Sequence, residues 1–588
     1  MVPHLHNRRG REAGRSREMD VLIHRSLMTF QCLLTLLSEP VRGSMCLNGP
    51  CQPGNEFCGA PFENAPMFHL MDQHGCAEND PNGPVFDPVH GVIHHFYQIH
   101  LAADGGHGPN YGHFVSRDFI NWAQLPVAIW NGFDSSVWPP KKTPYDSEAI
   151  FTGSAVIVDG AGPGGKGPGV VNIYPGLCDK SKQDWPSCQT GTLLAQAIPA
   201  DYAGDALLTN WTKPDYNPIM ENTERDPSTP WKLPNGEWRL RTYNGMYGAA
   251  SDADFLAGKW YELNNSSPFR TCECPSLYPL PPPTPGFEKE YEVAAQQGSL
   301  PTHVHKTSCS GDWWQLGTYD AGAPKTTGNF TATPGWEDLY EQQRIDQGAY
   351  YASKDNEYPS KDGKPRRINW GWAQIAPQSA QTLPRIITFN PVARCLEQAP
   401  LDELMGLRGD AVYAGRDLKL GDISHIDLNL ASGVARQSEV VLDFALPQEA
   451  VTFGISIASG ADTLDCYIAY EPPSDGAVTF YKVPVTCGKY KDTLRLVPKD
   501  TSVQLRIYVD NTFSEAYFQN GRVAMTVPQA TLGADTRMAL FASGPTLVRS
   551  ATVFPMRSIW VSSDEVRQAP RIYPASISNG VEKIYAYV

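Results

Sequence analysis

Short runs of apolar and alternating residues, separated by Gly, Pro, Asn and Asp, fill the chain from about residue 60 to residue 390. Representative runs cover residues 92–98, 149–158, 170–174 and 238–243. Such spacing is typical of short β-strands joined by turns, and no long amphipathic helix pattern interrupts it. The pattern therefore predicts an all-β region, which can be a sandwich, a barrel or a propeller.

A loose internal repeat favours the propeller among these architectures. The sequence Asp-Phe-Ile-Asn-Trp at 118–122 is followed by Leu-Pro, and Ala-Leu-Leu-Thr-Asn-Trp at 206–211 is followed three residues later by Pro. Residues 254–268 carry a third copy of this apolar–Trp–Pro phrase. One phrase per several strands suits the blades of a propeller, although the spacing is uneven.

A second region, with a different pattern of apolar and polar residues, extends from about residue 408 to residue 575. Its strand-like runs alternate well and are joined by short turns, at residues 438–444, 451–457, 464–470, 503–509 and 513–518. The pattern predicts an antiparallel β-sandwich with its own core. A chain of 588 residues is too long for one ordinary core. We therefore expect domains at 60–395 and 408–575, joined by a linker near 397–408.

The first 45 residues differ from the rest of the chain. Six Arg residues between positions 8 and 25 precede an apolar stretch at 27–37. This order resembles the basic and apolar parts of a secretory signal, for which Met19 is a candidate start. The apolar stretch is too short to cross a bilayer comfortably. We expect the mature protein to be secreted or routed to the vacuole or endomembrane system, without a membrane partner.

Cysteine usage supports an oxidising compartment. The chain has 13 Cys, and Cys178 with Cys188 and Cys466 with Cys487 flank short loops. Such close pairs suit disulfides, whereas no Cys-x-x-Cys pair supports zinc. Four sequons are consistent with glycosylation: Asn210, Asn264, Asn265 and Asn329.

The net charge of −15, without a long basic run, argues against a nucleic-acid partner. It is compatible with a neutral small-molecule substrate. The 14 Trp and 26 Tyr could stack on sugar rings, or could simply fill large β domains. Composition alone therefore leaves the substrate open.

Four short segments carry candidate chemistry. Residues 79–83 read Asn-Asp-Pro-Asn-Gly, a turn signal that places Asp80 beside the strand pattern that follows. Residues 151–154 read Phe-Thr-Gly-Ser, and Arg225 stands beside Asp226, which can be an ordinary ion pair. Glu273 lies between two Cys residues, where desolvation would raise its pKa as a general acid requires.

In this order, the four segments resemble the motifs of glycoside hydrolase family 32, the invertase and fructanase family. Residues 151–154 have Thr where the family motif has Ser. Agreement extends over about 65–570 and includes 111–118, 350–354, 370–372 and 509–515. The resemblance implies a five-bladed β-propeller followed by a C-terminal antiparallel β-sandwich, with an acidic triad in an axial funnel.

Carried over residue by residue, the resemblance implies a retaining glycoside hydrolase that needs no metal or organic cofactor. Asp80 would be the nucleophile on the anomeric carbon of fructose, and Glu273 the general acid/base. Asp226, with Arg225, would hold fructose hydroxyls. Glu273 would carry the proton if it is the least solvated of the three, Arg225 could keep Asp226 charged, and backbone and Asn contacts could keep Asp80 charged.

Further residues are predicted to bind the substrate, and some of them also have an ordinary structural interpretation. Asn79, Phe151 and Ser154 are expected to line the fructose pocket. Gln98 could bind a sugar hydroxyl or be a strand amide in the core. Trp370 could stack on sugar, although a Trp in a β core is the commoner case.

The sequence also departs from the family pattern. Ala77 and Glu78 stand where Trp and Met usually precede the Asn-Asp motif, and Tyr111 stands where Trp is common. The sequence therefore does not decide whether water or another sugar is the preferred acceptor. Hydrolysis of sucrose or a fructo-oligosaccharide is the leading hypothesis. A fructosyltransferase or fructan exohydrolase is the alternative on the same scaffold, and an inactive sugar-binding protein is the alternative of another class. The second region could also form a homo-oligomer.

Overall fold

The computed structural model describes residues 64–100, 108–178, 192–264, 269–334, 344–421, 424–473 and 479–574. The signal-like segment predicted at residues 1–45 lies outside these ranges. The described chain is mostly β-structure, as the alternating runs predict. No helix among the described residues is long and apolar enough to span a membrane.

Five antiparallel sheets follow one another along the first part of the chain. The first sheet contains β1 (Glu78–Pro81), β2 (Val85–Asp87), β3 (Val92–Ile99), β4 (Asn110–Ser116) and β5 (Trp122–Ile129). A hairpin follows, formed by β6 (Phe133–Asp134) and β7 (Lys141–Lys142). The second sheet contains β8 (Ala149–Ile150), β9 (Ser154–Asp159), β10 (Pro168–Leu177), β11 (Thr192–Pro199), β12 (Trp211–Thr212) and β13 (Met220–Thr223).

The next three sheets are built the same way. The third contains β14 (Trp231–Lys232), β15 (Trp238–Arg241), β16 (Met246–Ala249) and β17 (Tyr261–Glu262), with helix α1 (Asp252–Leu256) between the last two. The fourth contains β18 (Glu273–Pro279), β19 (His303–Ser308), β20 (Asp312–Asp320) and β21 (Asn329–Ala332), with helix α2 (Glu288–Gln296) after its first strand. The fifth contains β22 (Tyr350–Pro359), β23 (Pro365–Ala373), β24 (Ala380–Gln381), β25 (Arg385–Asn390) and β26 (Cys395–Pro400).

Apolar clusters join each of these sheets to the next. Val85 and Ile150 belong to one cluster shared by the first and second sheets. Similar clusters join the second to the third, the third to the fourth and the fourth to the fifth. A further cluster joins the fifth sheet back to the first through Phe119 and Trp370. The five sheets therefore pack in a closed order.

Two six-stranded antiparallel sheets follow. One contains β27 (Tyr413–Leu420), β29 (Gln437–Ala445), β34 (Ser502–Asp510), β35 (Phe513–Phe518), β36 (Val523–Pro528) and β38 (Thr546–Pro555). The other contains β28 (Ser424–Asp427), β30 (Val451–Ser459), β31 (Asp462–Tyr470), β32 (Tyr481–Cys487), β33 (Tyr490–Leu496) and β37 (Arg537–Ala542). Apolar residues of both sheets share one core. Helix α3 (Ser563–Gln568) follows.

The structure also contains three 3-10 helices, at Pro144–Asp146, Pro163–Gly165 and Asp402–Leu407. The last of these lies in the stretch predicted as a linker. Cys466 and Cys487 are paired across β31 and β32 and form a disulfide, as their spacing suggests. Cys178 is also disulfide-bonded, whereas Cys188 lies outside the described residues.

A buried cluster of charges connects the five sheets with the last two. We call it the junction cluster: His69, Asp346, Arg385, Asp510 and Glu515. The two ring nitrogens of His69 lie 2.8 Å from Asp510 and 3.0 Å from Glu515. Arg385 lies 2.6 Å from Glu515 and 2.9 Å from Asp346. Every carboxylate in the cluster therefore has a cationic partner.

Candidate active site

Three carboxyl groups from different parts of the chain are brought together around Cys274. Asp80 belongs to β1, Asp226 lies between β13 and β14, and Glu273 begins β18. The backbone nitrogen of Cys274 donates to Asp226 Oδ2 at 3.3 Å, and its sulfur lies 4.0 Å from Asp80 Oδ2. Since Glu273 precedes Cys274, all three predicted acids converge here.

Unusual backbone conformations accompany this convergence. Asp226 has φ +62° and Cys274 has φ +44°, both in the left-handed region that non-glycine residues seldom adopt. The ladder between β1 and β3 is irregular between Glu78 and Pro81, and that between β18 and β19 is irregular after Glu273. Local strain of this kind is common where a fold aims side chains into a functional site.

Glu273 is held by a cation and a phenol. Arg225 Nη2 donates to Glu273 Oε1 at 2.6 Å, and the Tyr351 hydroxyl donates to Oε2 at 2.6 Å. The Glu273 side chain is 31% exposed, whereas that of Asp226 is 6% exposed. Arg225 lies 3.8 Å from Asp226, a looser contact. Glu273 is therefore more exposed than Asp226, so the condition that it be the least solvated acid is not met, while Arg225 lies near both acids.

Asp80 lies at the end of a chain of polar side chains. Asn79 Nδ2 donates to Gln98 Oε1 at 3.1 Å, and Gln98 Nε2 donates to Thr152 Oγ1 at 2.5 Å. The Thr152 hydroxyl donates to Asp80 Oδ2, and Asn79 Nδ2 also lies 3.4 Å from Asp80 Oδ1. His100 Nε2 lies 2.6 Å from Asn79 Oδ1. We call His100, Asn79, Gln98 and Thr152 the donor chain.

Burial controls the electrostatics of the two aspartates. It raises the pKa of Asp80 to about 7, opposed by the Thr152 hydrogen bond and assisted by the charges of Asp226 and Glu273. It raises the pKa of Asp226 to about 6, opposed by Lys354 and Arg225. These raised pKa values fall on the two aspartates, which the sequence did not predict.

Two buried lysines lie behind the carboxyl groups. Lys354 Nζ donates to the Pro227 carbonyl at 2.9 Å and lies 3.3 Å from Ser154 Oγ. Lys306 Nζ donates to the Cys274 carbonyl at 2.9 Å and pairs with Asp312 at 3.2 Å. Burial lowers the pKa of Lys354, while Cys274 and Asp226 oppose this. These cations support the backbone that carries Asp226 and Glu273.

The other predicted binding residues do not all lie at the site. Asn79, Gln98 and Phe151 lie at the site, and Gln98 is both a buried strand amide and a member of the donor chain. Ser154 is fully buried and donates to the Pro227 carbonyl at 2.7 Å. It therefore packs behind the acids and does not line an open pocket, which corrects the prediction.

Trp370 also differs from its predicted binding role. Its side chain is fully buried, with ring centroids 5.2 Å from His95 and 6.0 Å from Phe119. It fills the space between the fifth sheet and the first, so it has no open face for a sugar. The commoner alternative, a Trp in a β core, is the one that the structure contains.

The positions that depart from the family pattern point inward. Glu78 is buried and accepts from the Asp72 backbone nitrogen at 2.6 Å and from Gln381 Nε2 at 3.1 Å. Burial raises the pKa of Glu78 well above its usual value. Tyr111 is also buried and donates to the Phe151 carbonyl at 2.7 Å. The buried side chains of Glu78 and Tyr111 therefore support the backbone around the site.

Sequence reasoning missed several residues that contact the site. Tyr351 and Lys354 lie in the quoted segment 350–354, so a role could have been assigned to them there. Lys306 and His100 stand in no quoted motif. The disulfide between Cys272 and Cys309 was also missed, because 37 positions separate the two residues. This bridge fastens the residue before Glu273 to the end of β19.

The comparisons with known proteins agree on one family. Residues 69–397 match the family model described as the glycosyl hydrolases family 32 N-terminal domain. Fructan 6-exohydrolase of Triticum aestivum is 29% identical over 66% of this chain and 65% of its own length. Beta-fructofuranosidase, insoluble isoenzyme 4, of Oryza sativa subsp. japonica is 31% identical over 63% of this chain and 60% of its own. The chain thus spans less than two thirds of these relatives' length.

A solved structure agrees in fold. Fructan 1-exohydrolase IIa from Cichorium intybus superposes with a TM-score of 0.68 at 21% identity, covering 86% of this chain and 99% of that one. A variant of the same Cichorium intybus protein has been solved in complex with 1-kestose. At this level of identity the likeness shows the fold alone.

Proposed function

Because the chain belongs to glycosyl hydrolase family 32, we propose that it is a retaining glycosidase that cleaves terminal β-D-fructofuranosides such as sucrose. One observation carries the proposal: Asp80, Asp226 and Glu273 converge from separate parts of the chain on Cys274. Glycoside hydrolysis needs a set of carboxyl groups close together in a partly open site, and two of these three have raised pKa values. The relatives' names, beta-fructofuranosidase and fructan exohydrolase, favour fructosides as the substrate class.

In the proposed mechanism, the Asp80 carboxylate attacks the anomeric carbon of the fructosyl unit. Glu273 donates a proton to the leaving oxygen, and the bond between that oxygen and the anomeric carbon breaks. Glu273 then takes a proton from water, whose oxygen displaces Asp80 and releases fructose. Asp226 holds fructose hydroxyls beside the reacting carbon.

Asp80 and Asp226 should titrate as a coupled pair, since the charge of Asp226 raises the pKa of Asp80. The reactive form holds one proton, on Glu273, while Asp80 and Asp226 are charged. Because Asp80 must be charged to attack and its pKa is raised to about 7, we expect activity to fall as pH drops below about 7. Binding of a neutral sugar would exclude water and strengthen each of these interactions.

A fructan exohydrolase is the second candidate. The names of the Triticum aestivum and Cichorium intybus proteins favour it as strongly as the rice name favours sucrose hydrolysis. The residues that would choose between them contact the leaving group, and Ala77 offers no aromatic side chain there. Fructosyl transfer to another sugar is the third candidate, and the product analysis described below distinguishes it from the two hydrolytic activities.

We further propose that the five sheets are the blades of a β-propeller spanning about 60–395, and that the last two sheets are a β-sandwich spanning about 408–575. The closed order of apolar clusters supports the first proposal, and the shared core supports the second. We also propose an extracellular or vacuolar location, supported by the signal-like segment and by the disulfides.

Product analysis tests the proposed function. Purified protein is incubated separately with sucrose, inulin and levan, and glucose, fructose and trisaccharides are quantified, with Glu273→Gln as the inactive control. Equal glucose and fructose from sucrose supports sucrose hydrolysis. Fructose from inulin or levan without sucrose cleavage supports the exohydrolase, and excess glucose with trisaccharides supports transfer. If no fructoside is cleaved, the proposal is wrong.

A further inference from the structure

His100 heads the donor chain, and neither the motifs nor the proposed mechanism gives it a role. It directly follows β3, whose residue Gln98 is the third member of the chain. His100 Nε2 lies 2.6 Å from Asn79 Oδ1. An amide oxygen can only accept a hydrogen bond, so Nε2 must carry a proton and donate it.

This first hydrogen bond sets the direction of all the others. With its oxygen occupied by His100, the Asn79 amide turns its nitrogen toward Gln98 Oε1 at 3.1 Å. Gln98 therefore turns its own nitrogen toward Thr152 Oγ1 at 2.5 Å. Thr152 has a single hydroxyl proton, which is left for Asp80 Oδ2.

The reverse direction would be costly at Asp80. If both amides were flipped, Gln98 Oε1 would take the Thr152 proton, and an oxygen lone pair would face the carboxylate. The Asn79 oxygen would also approach Asp80 Oδ1, which now lies 3.4 Å from the Asn79 nitrogen. Hydrogen bonds to a charged acceptor are among the stronger ones, so losing them disfavours the charged form.

We propose that His100 is a positioning residue for Asp80: by donating to Asn79 it fixes the polarity of the donor chain, so that both oxygens of the nucleophile face donors. The role rests on the proposed function, because it assumes that Asp80 reacts as a carboxylate. The charged and titratable groups that face Asp80 include Asp226, Glu273, Lys354, Cys274 and Tyr111.

The test compares three substitutions at His100. His100→Ala removes the donor, and kcat/KM on a cleaved fructoside should fall about 10-fold at pH 5, with a smaller loss at pH 8. Its acid limb should move upward by about half a pH unit to one unit. His100→Gln places an amide nitrogen near the position of Nε2 and should restore the wild-type limb. His100→Asn is too short and should not.

His303→Ala is the matched control. His303 is also a buried histidine at a strand end, burial likewise lowers its pKa, and its ring contacts Thr302 rather than the donor chain. Its variant should keep the wild-type pH profile even if it is less stable. An acid limb that is unchanged in His100→Ala, or that shifts equally in His303→Ala, would overturn the proposal.

A readout without turnover separates this proposal from the proposed function. The carboxyl ¹³C resonance of Asp80 is assigned as the one lost in Asp80→Asn. Its titration midpoint should rise in His100→Ala and return in His100→Gln. If the wild type cleaves no fructoside, the proposed function fails, and this midpoint still decides the role of His100: an unmoved midpoint contradicts it.

Discussion

Two buried groups of charges in this molecule respond to burial in opposite ways. At the site, burial raises the pKa of Asp80 to about 7 and that of Asp226 to about 6. In the junction cluster, burial alone would raise the pKa of Glu515, but Arg385 and His69 lower it to about 2. The depth of burial is therefore not what distinguishes them.

The difference lies in the pairing. Glu515 contacts Arg385 at 2.6 Å and His69 at 3.0 Å, so its charge is neutralised at contact distance. Asp80 meets a hydroxyl and an amide, and its charged neighbours include two other acids. A buried charge with a close partner of opposite sign holds parts of a protein together. A buried charge without such a partner lowers stability but can make the group reactive. The first arrangement suits a structural junction and the second a catalytic site.

The largest expected effect breaks the site alone. Asp80→Ala should reduce kcat on a fructoside by roughly 10⁴-fold, because no other group can form the covalent intermediate. Its free energy of unfolding should equal or exceed that of the wild type, since an underpaired buried charge is gone. Steady-state kinetics and urea unfolding measure both quantities. Activity within 10-fold of the wild type would rule Asp80 out as nucleophile.

The converse substitution breaks the junction alone. Glu515→Ala removes one carboxylate partner from both Arg385 and His69, and should lower the free energy of unfolding by about 3–5 kcal/mol because it breaks a buried ionic network. The kcat of the remaining folded protein should stay within about 3-fold, because no junction residue contacts the three acids. Urea unfolding followed by fluorescence, together with kinetics at low temperature, tests this. A stability change below 1 kcal/mol would contradict the pairing argument.

Two of the disulfides extend the comparison to covalent links. They close loops of similar length, with sequence separations of 37 and 21 residues, so removing either should cost about 3 kcal/mol of stability. Only Cys272→Ser/Cys309→Ser should also reduce kcat, by about 10-fold, because that bridge fastens the residue beside Glu273. Cys466→Ser/Cys487→Ser is the matched control. Equal activity in both double variants would show that the first bridge does not position Glu273.

The smallest expected effect is in the pH dependence of stability. Because the pKa of Asp80 is raised from 3.8 to about 7, its contribution to stability is present below pH 3.8 and is lost as pH rises through about 7. Asp80→Asn should therefore gain stability relative to the wild type between pH 4 and pH 8, by about 1 kcal/mol, since solvent reaches part of this buried group and screens its charge.

Glu515→Gln supplies the opposite sign. The pKa of Glu515 is lowered from 4.5 to about 2, so its contribution is present above pH 4.5 and is lost as pH falls through about 2. The stability deficit of this variant should stay constant from pH 5 to pH 8. Thermal unfolding across that range measures both variants. If the stabilities of Asp80→Asn and Glu515→Gln relative to the wild type changed with pH in the same way, the two groups of charges would not differ.

The alternating runs predicted the β class of the chain, because a side-chain period of two is a local property. The motifs also predicted that Asp80, Asp226 and Glu273 lie together. Protonation could not be predicted in the same way. The pKa of an acid depends on how deeply it is buried and on which charges lie near it, as burial and the charge of Asp226 raise the pKa of Asp80.

Side-chain orientation was equally hidden from the sequence. Trp370 and Ser154 stand in or near conserved-looking motifs, yet both face the interior, because the packing between sheets decides which face of a strand is open. His100 lies outside every motif and still contacts Asn79. Contacts of this kind join residues on different strands, and only the assembled sheets reveal them.

The most direct measurement of the central claim is trapping of the covalent intermediate. Glu273→Gln is mixed with a nitrophenyl β-D-fructofuranoside, whose leaving group departs without an acid, while the missing base slows release of the sugar. Peptide mass spectrometry should find one anhydrofructose unit on Asp80. An adduct on Asp226, or a burst of nitrophenol without any adduct, would contradict the assignment of Asp80 as the nucleophile.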